Sequence, residues 1–413
     1  MIKKEVKFPK LRSGNNGDVV LGCDPEFFFR KNGKLIGSHE VIPESGIAYN
    51  GTRLNYDTGK QEPVDGSIVR DGVQAELNPR PDTCRQRLAC DIGRSFMYLY
   101  QELQKPENKG VTIDMSQTVA LTQEEMDTLP PESKQFGCTP SFNVYGDQPV
   151  GVRDASKYMS RSAGGHIHLG AVKDSAMYKT LKDFIRLIPV IDLVVGNTCV
   201  LIDRSEGNKI RRQTYGRAGE YRLPKHGIEY RTLSNFWLKN YTLMSLVTGL
   251  IRQAVYIVHN STKEHDYAKQ LMSLVNVKDV VDAINNNDRE LAQKNFDKIK
   301  GFMAEVFTSK KYAKLLPNNR YYDNAGNINF VPEGTEGAIL YDNFEDIFST
   351  SSLPQLEHFL SKPIDYWFKE DTMANWNRIG GNYEIEDDTA SGFTGGIESF
   401  LRQVVQTDMD IKS

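Results

Sequence analysis

Five cysteines in 413 residues (Cys23, Cys84, Cys90, Cys138 and Cys199) are too few and too scattered to staple a fold. Their number is odd and no CxxC pair occurs, so neither a disulfide framework nor a cysteine metal site is indicated. Ordinary thiols in a reducing compartment are expected. Long apolar runs are also missing. The best stretch, Leu187 to Ile202, is interrupted by Pro189, Asp192 and Asn197, which argues against a membrane span. The basic N-terminal segment MIKKEVKFPKLRSG has no apolar region behind it, so no signal peptide is expected. Neither sign of charge dominates: 51 basic against 54 acidic side chains leave a net charge of -3. That net charge is too small to imply a general nucleic-acid or membrane binder and makes any electrostatic function local. Repeats and low-complexity blocks are lacking too. What remains is a soluble, cytoplasmic protein.

Hydrophobic residues make up 39% and charged residues 25%, near globular averages, and the length is enough for a sizeable core. Val19 to Arg30 reads as a strand, and Asn32-Gly33 as a two-residue hairpin turn into Leu35 to Gly37, because these residues tolerate positive φ. Residues 38–68 read as loops with short strands. Val73 to Asn78 is a strand that Pro79 and Pro81 stop, and Asp82 or Thr83 caps a helix to about Gln104. After a loop-rich stretch, Gly165 to Gly170 reads as a strand and 175–203 as apolar helix bent at Pro189. Residues 204–227 suit a mobile loop followed by a strand. Gly227 to Leu233 is a strand and 240–260 a helix. Short helices follow, at 277–286, 289–305 and 396–406. Strands separated by helices without βαβ alternation point to an α+β fold with a largely antiparallel sheet.

Four segments carry chemistry. In Gly22-Cys23-Asp24-Pro25-Glu26-Phe27-Phe28-Phe29, strand alternation sets Asp24 and Glu26 side by side, and two adjacent anions invite a hard cation. A bare D-x-E is more often a solvated strand face, but three phenylalanines say that this strand is packed. Pro25 suggests an edge or bulge there. In Val73 to Asn78, Gln74, Glu76 and Asn78 share one face, which any amphipathic strand would show. In Gly164-Gly165-His166-Ile167-His168-Leu169-Gly170 both imidazoles share a face, available to metal or phosphate, and the glycines allow close backbone approach. Residues 204–231 hold eight Lys or Arg against three Glu. Arginine forks match phosphate oxygens, and Glu229 and Arg231 share a strand face; a surface basic loop would look the same.

Taken in order, these segments resemble the active-site motifs of the glutamine synthetase and glutamate-cysteine ligase superfamily, and within it the amidoligases of tailed bacteriophages. Gly22 to Phe29 resembles G-x-E-x-E-F-F, with Asp24 where the family has glutamate. Gln74-Ala75-Glu76 resembles G-Q-x-E, with Val73 in place of the glycine. Gly165 to His168 resembles G-M-H-x-H, Arg217 to Pro224 matches R-x-x-x-x-R-I-P, and Ile228 to Arg231 matches I-E-x-R. The likeness covers residues 20–240.

The resemblance implies a glutamine-synthetase-like curved antiparallel sheet forming a funnel, helices outside, and a catalytic domain at 1–261. A mainly helical extension at 262–413 would choose the substrate or partner. It also implies an ATP-dependent carboxylate-amine ligase acting through an acyl phosphate, with Mg2+ or Mn2+. Asp24, His166 and Glu229 would hold one cation. Glu26, Glu76 and either Asp71 or Asp65 would hold the second. His168, Arg222 and Arg231 would contact the nucleotide, and Arg217, Arg222 and Arg231 would stabilise the transferring phosphoryl group. Glu206 would close over the intermediate from a flap at 204–209. Expected partners are a carboxylate and an amine, such as an amino acid or peptide. The rival readings are a guanidino kinase of the same fold, a non-catalytic phage or host interaction protein, and a nucleic-acid binder using 204–231.

Overall fold

The stretch from Val19 to Arg30 is not one strand but two. Pro25 has no amide N–H to give a ladder, and the chain breaks at Asp24-Pro25 between β1 (Val20–Cys23) and β2 (Glu26–Lys31). The break is where the polypeptide leaves one sheet for another. The computed structural model that shows this describes residues 19–55, 60–83, 85–134, 141–150, 159–203, 205–239 and 241–307.

The second sheet is built from β2, β3 (Lys34–Ile36), β4 (Ile47–Asn55), β5 (Lys60–Asp71), β6 (Gln74–Asn78) and β7 (Val111–Asp114), in the order β3-β2-β6-β5-β4, with β7 also on β2. The β2–β3 hairpin turns as expected, with Asn32 and Gly33 at φ 52° and 83°. The stretch 38–68, expected as loops with short strands, instead contains β4 and most of β5, which pair along nine antiparallel residue pairs from Ile47↔Ile68 to Asn55↔Lys60. A small ladder joins β8 (Thr118–Ala120) to β11 (Ser160–Ser162). The first sheet holds β1, β9 (Ser141–Asn143), β10 (Gly146–Val150), β12 (Ile167–Gly170), β13 (Glu220–Arg222) and β14 (Gly227–Tyr230), in the order β1-β12-β14-β13-β9-β10. Every pairing in it is antiparallel. The α+β class is therefore as expected.

One rule orients every strand of the site. Leu21, Cys23, Phe27, Phe29, Ala75, Leu77, Ile167, Leu169, Tyr221, Ile228 and Tyr230 all enter one buried cluster. Because side chains alternate, Gly22, Glu26, Glu76, His168 and Glu229 must face the other way. Phe27 packs on Phe96 of α1 (Arg85–Leu103) with ring centroids 5.7 Å apart. Burying such a ring contributes roughly 1.5–3 kcal/mol, which commits the strand's other face to the site. Phe28, on that other face, joins a smaller cluster with Leu35, Val73 and Leu121.

The remaining helices complete the core. After α2 (Gln123–Thr128), the apolar segment contains α3 (Ala176–Lys182), α4 (Phe184–Ile191), a π-helical turn at Asp192–Gly196 and α5 (Asn197–Ile202). Phe184–Ile202 is 19 residues long with mean hydropathy 1.9, so by length and composition it could cross a membrane, contrary to the expectation from sequence. Some 83% of it is buried inside the fold, where it packs against α7 (Tyr241–His259). The segment expected as a mobile loop contains α6 (Glu206–Arg211). Beyond it lie α8 (Tyr267–Met272), α9 (Val277–Asn286) and α10 (Arg289–Phe307). These last helices share the main core: Ile284, Ala292 and Phe296 are buried in it, and Asn197 bonds to both Ala292 and Asn295. The expected helix at 396–406 lies outside the described residues.

Candidate active site

Asp24 stands at the break between the sheets, and the two neighbouring acids it separates go to different groups. Register explains this. Glu26 on β2 is paired with Glu76 on β6, and β6 runs beside the end of β5 that carries Asp71. Ligand atoms of Glu26, Asp71 and Glu76 lie within 4.8 Å of one another. On the other side, His168 on β12 pairs with Glu229 on β14, which also pairs with Arg222 on β13. Asp24, His168 and Glu229 form a second group within the same 4.8 Å limit. His166 joins them, with Nδ1 3.4 Å from Asp24 and 3.6 Å from Glu229. The expected acids therefore fall into two sets, and Asp71 is the third acid of one. The alternative, Asp65, lies outside the described side chains.

Electrostatics distinguishes the sets. In the three-carboxylate group burial and neighbouring carboxylates, Asp24 of the other group included, raise all three acids: Glu26 is pushed up chiefly by burial and by Asp71, Glu76 to about 9 by burial and by Asp24, and Asp71 by burial and by Asp24. Around Asp24 the balance reverses. Burial alone would raise its pKa, but contact with His166 and His168 outweighs that and holds it well below the usual carboxylate range. Burial drives His166 down to about 4. For His168 burial also acts downward, but Asp24 outweighs it and the pKa is raised.

The donor set fits a cation. Asp24 Oδ1, His166 Nε2 and His168 Nε2 are buried without an aligned hydrogen-bond partner among the described residues, although His168 Nε2 lies 3.1 Å from Asp24 Oδ1. Such groups persist in native folds when something else satisfies them. Carboxylates gathered at this density, with imidazole on one side, are hard donors of the kind magnesium and manganese take.

The glycines around the histidines serve the protein itself. A Cβ on Gly165 would fall 2.2 Å from the Ser234 carbonyl, and one on Gly164 would fall 2.2 Å from His166 Nε2. Gly164 also ties the site across the sheets: its N–H donates to Glu26 Oε2 at 2.7 Å, and its carbonyl accepts from Glu26 N at 2.8 Å.

The basic stretch divides by role. Arg231 is buried and its Nη1 donates to Glu229 Oε1, while Arg222 Nη1 lies 3.4 Å from the same oxygen. Arg211, fully buried, donates to the carbonyls of Arg231, Thr232 and Leu233 and so fixes the chain leaving β14. Arg212 bonds to Ile284 O and Asn287 at the end of α9. Arg217 is exposed, donates Nε–H to Arg212 O at 3.0 Å, and makes no contact with either group among the described residues. Glu206 is likewise exposed and apart, at the start of α6. Its neighbours are tied down: Thr118 donates to Gly207 O at 2.9 Å, and Asn208 donates to Asp203 at 3.0 Å.

Two residues that no motif includes sit at the centre. The Tyr215 hydroxyl is 3.1 Å from Glu26 Oε2 and 3.3 Å from the Ser162 carbonyl, and its ring lies under Arg211 and edge-on to His166. His226 Nε2 is 2.9 Å from His168 Nδ1. Sequence offered no pattern for either, since both stand in turns whose approach to the site depends on the fold. A cleft of about 560 Å³ opens beside Asp24 and His168, lined also by Val20, Gly22, Pro79, Pro81, Ala171 and Val172 together with Asn78 and His226.

The α+β fold thus brings together two ligand groups of metal-binding type, paired imidazoles, and two arginines on one carboxylate. Residues 146–328 match the family described as phage phiEco32-like COOH.NH2 ligase-type 2, and this bears out the resemblance to the phage amidoligases. The match takes in the His166–His168, Arg217–Pro224 and Ile228–Arg231 segments; those around Asp24 and Glu76 lie before it. No curated protein matches the chain.

Proposed function

We propose that the protein is an ATP- and magnesium-dependent ligase that joins a carboxylate to an amine through an acyl phosphate. The observation that carries this reading is the meeting of acids and imidazoles from separate sequence segments in two ligand groups, one of which lines a cleft through Asp24 and His168. The matched family's description, a COOH.NH2 ligase, supports the overall reaction class.

Glu26, Asp71 and Glu76 would hold one divalent cation, and Asp24, Glu229 and an imidazole the other. Cations so held would supply charge neutralisation at the nucleotide's phosphate oxygens. The apolar walls of the cleft suit a nucleotide base, with its phosphates directed to Asp24 and His168. Arg222 and Arg231 already adjoin Glu229, and their planar forks would clamp the moving phosphoryl group. A substrate carboxylate oxygen takes the terminal phosphoryl group and ADP leaves. The amine then attacks the activated carbonyl carbon, phosphate departs with its bonding pair, and the new amide nitrogen loses a proton. Glu206 is the candidate acceptor of that proton and would have to be carried to the site by movement of the segment at 205–209.

The test is product analysis with purified protein, Mg2+, ATP and mixtures of amino acids and small acids. Phosphate release should require both a carboxylate and an amine, with a product lighter than their sum by one water. Glu229→Gln should abolish it. A phosphorylated guanidine would make the protein a kinase, and ATP left untouched under all mixtures would sink the catalytic reading.

A further inference from the structure

His226 falls between the Arg217–Pro224 and Ile228–Arg231 motifs and belongs to neither, yet it is the partner of the imidazole at the site's centre. It stands exposed in the tight turn Pro224 to Gly227, closed by Gly227 N–H donating to Pro224 O at 3.1 Å, which joins β13 to β14. β14 places Gly227 opposite Gly170 on β12, so no side chain intervenes between the turn and His168. The two rings lie 5.0 Å apart, tilted by 41°, with His168 Nδ1 and His226 Nε2 2.9 Å apart. At the other end of the same ring, His168 Nε2 is buried, 3.1 Å from Asp24 Oδ1 and without an aligned hydrogen bond among the described residues.

A hydrogen bond between two imidazoles requires one nitrogen to carry the proton and the other to accept it. An imidazole that ligates a cation uses the lone pair of one nitrogen, so its proton must stand on the other, and the group receiving that proton sets the ring's orientation. We propose that His226 is a positioning residue that accepts the Nδ1–H of His168 and thereby turns the His168 Nε2 lone pair toward the cation held with Asp24 and Glu229. This rests on the cation reading above. It assigns His168, rather than His166 alone, as the imidazole ligand of that group. It also links the group to the cleft, because His226 lines the cleft wall.

The experiment is Mn2+ titration by calorimetry of the full chain, with His226→Ala and His226→Gln beside it, and long-range 1H–15N spectra of histidine-labelled protein. His226 is exposed, so both variants should keep the parent Tm. The unaltered protein should bind two ions. Loss of an outer partner of a ligating histidine typically weakens metal binding roughly 10–100-fold, so His226→Ala should weaken one site by that factor and spare the other. His226→Gln offers a carbonyl acceptor in a similar place and should recover most of the loss. His168 should carry its proton on Nδ1 in the parent and the glutamine variant and become mixed in the alanine variant. Unchanged affinity and tautomer in His226→Ala, or equal loss in both variants, would overturn the inference while leaving the cation reading intact. A parent protein that binds no Mn2+ would overturn the cation reading itself, and this inference with it.

Discussion

Tyr215 shows how much one side chain can organise. Glu26 Oε2 receives the Gly164 N–H and faces the Tyr215 hydroxyl, so the carboxylate that lies within 4.8 Å of the Asp71 and Glu76 ligand atoms is held in place from one side. The same ring touches His166 and lies near Arg231 on the other group's side, so it spans both sets. Tyr215→Phe keeps the ring and its stacking and removes only the hydroxyl. One such bond is worth about 1 kcal/mol net, so Mn2+ affinity at the three-carboxylate group should fall about fivefold, with the other site little changed. Affinity at that site unchanged from the parent in a calorimetric titration would reduce Tyr215 to a packing residue. Neither Tyr215 nor His226 was legible beforehand, because a tyrosine or histidine in a turn carries no period to say what it faces.

At the scale of the element, the π-helical turn after Pro189 makes a specific brace. Asp192, fully buried there, accepts from the Tyr230 hydroxyl at 2.7 Å, and Tyr230 lies on the core face of β14 directly beside Glu229 in sequence. Burial pushes the Asp192 carboxyl up to about 7, against hydrogen bonds from Tyr230 and Tyr145 that favour its charge. A raised carboxylate pKa means that the fold prefers the neutral acid. Its stabilising effect is complete below the unfolded pKa near 4 and is lost as pH rises through about 7. Asp192→Asn is neutral at every pH. Its Tm relative to the parent should therefore climb between pH 5 and 9, and a constant difference across that range would refute the assignment. The helix was readable from composition, and so was a disturbance at Pro189. The π turn and its bond to a distant strand were not, since local periodicity says nothing of which strand a helix meets.

The whole molecule gathers like charges and must tolerate them. Glu26, pushed up to about 8, and Glu76, to about 9, sit with Asp71 where burial and repulsion favour the protonated forms. The sign follows as for Asp192: without cation the fold loses stability as pH rises through 8 to 9. A cation binds the ionised forms, so proton loss and binding are coupled. Saturating Mn2+ should raise Tm more at pH 9 than at pH 6, and binding at neutral pH should release protons, measurable by calorimetry in buffers of different ionisation enthalpy. Equal Tm gains at both pH values would mean that these three acids do not hold the ion. The same scale explains why α9 and α10 matter to the site. Asn285 accepts from Ala218 N and Asn287 accepts from Arg212, so the turn carrying Tyr215 and Arg217 is held from a region 67 to 75 residues downstream.

Sequence by itself determined which residues face which way. Alternation along Gly22 to Phe29, Gln74 to Asn78, His166 to Gly170 and Ile228 to Arg231 commits the apolar members to the core, because each buried ring or branched chain outweighs what its polar neighbour could gain there. It also made the hairpin at Asn32-Gly33 and the order of the acidic and basic segments legible. Tertiary structure decided partnership. Pairing of β2 with β6 and of β12 with β14 separates Asp24 from Glu26 into two groups, adds Asp71 to one, and brings Tyr215 and His226 in from turns. Arg211 and Arg212, which by charge alone belong with a phosphate site, are spent on backbone carbonyls instead. A strand's own residues set its faces through a period of two. Its neighbours are set by contacts between segments tens to hundreds of residues apart, which no local pattern encodes.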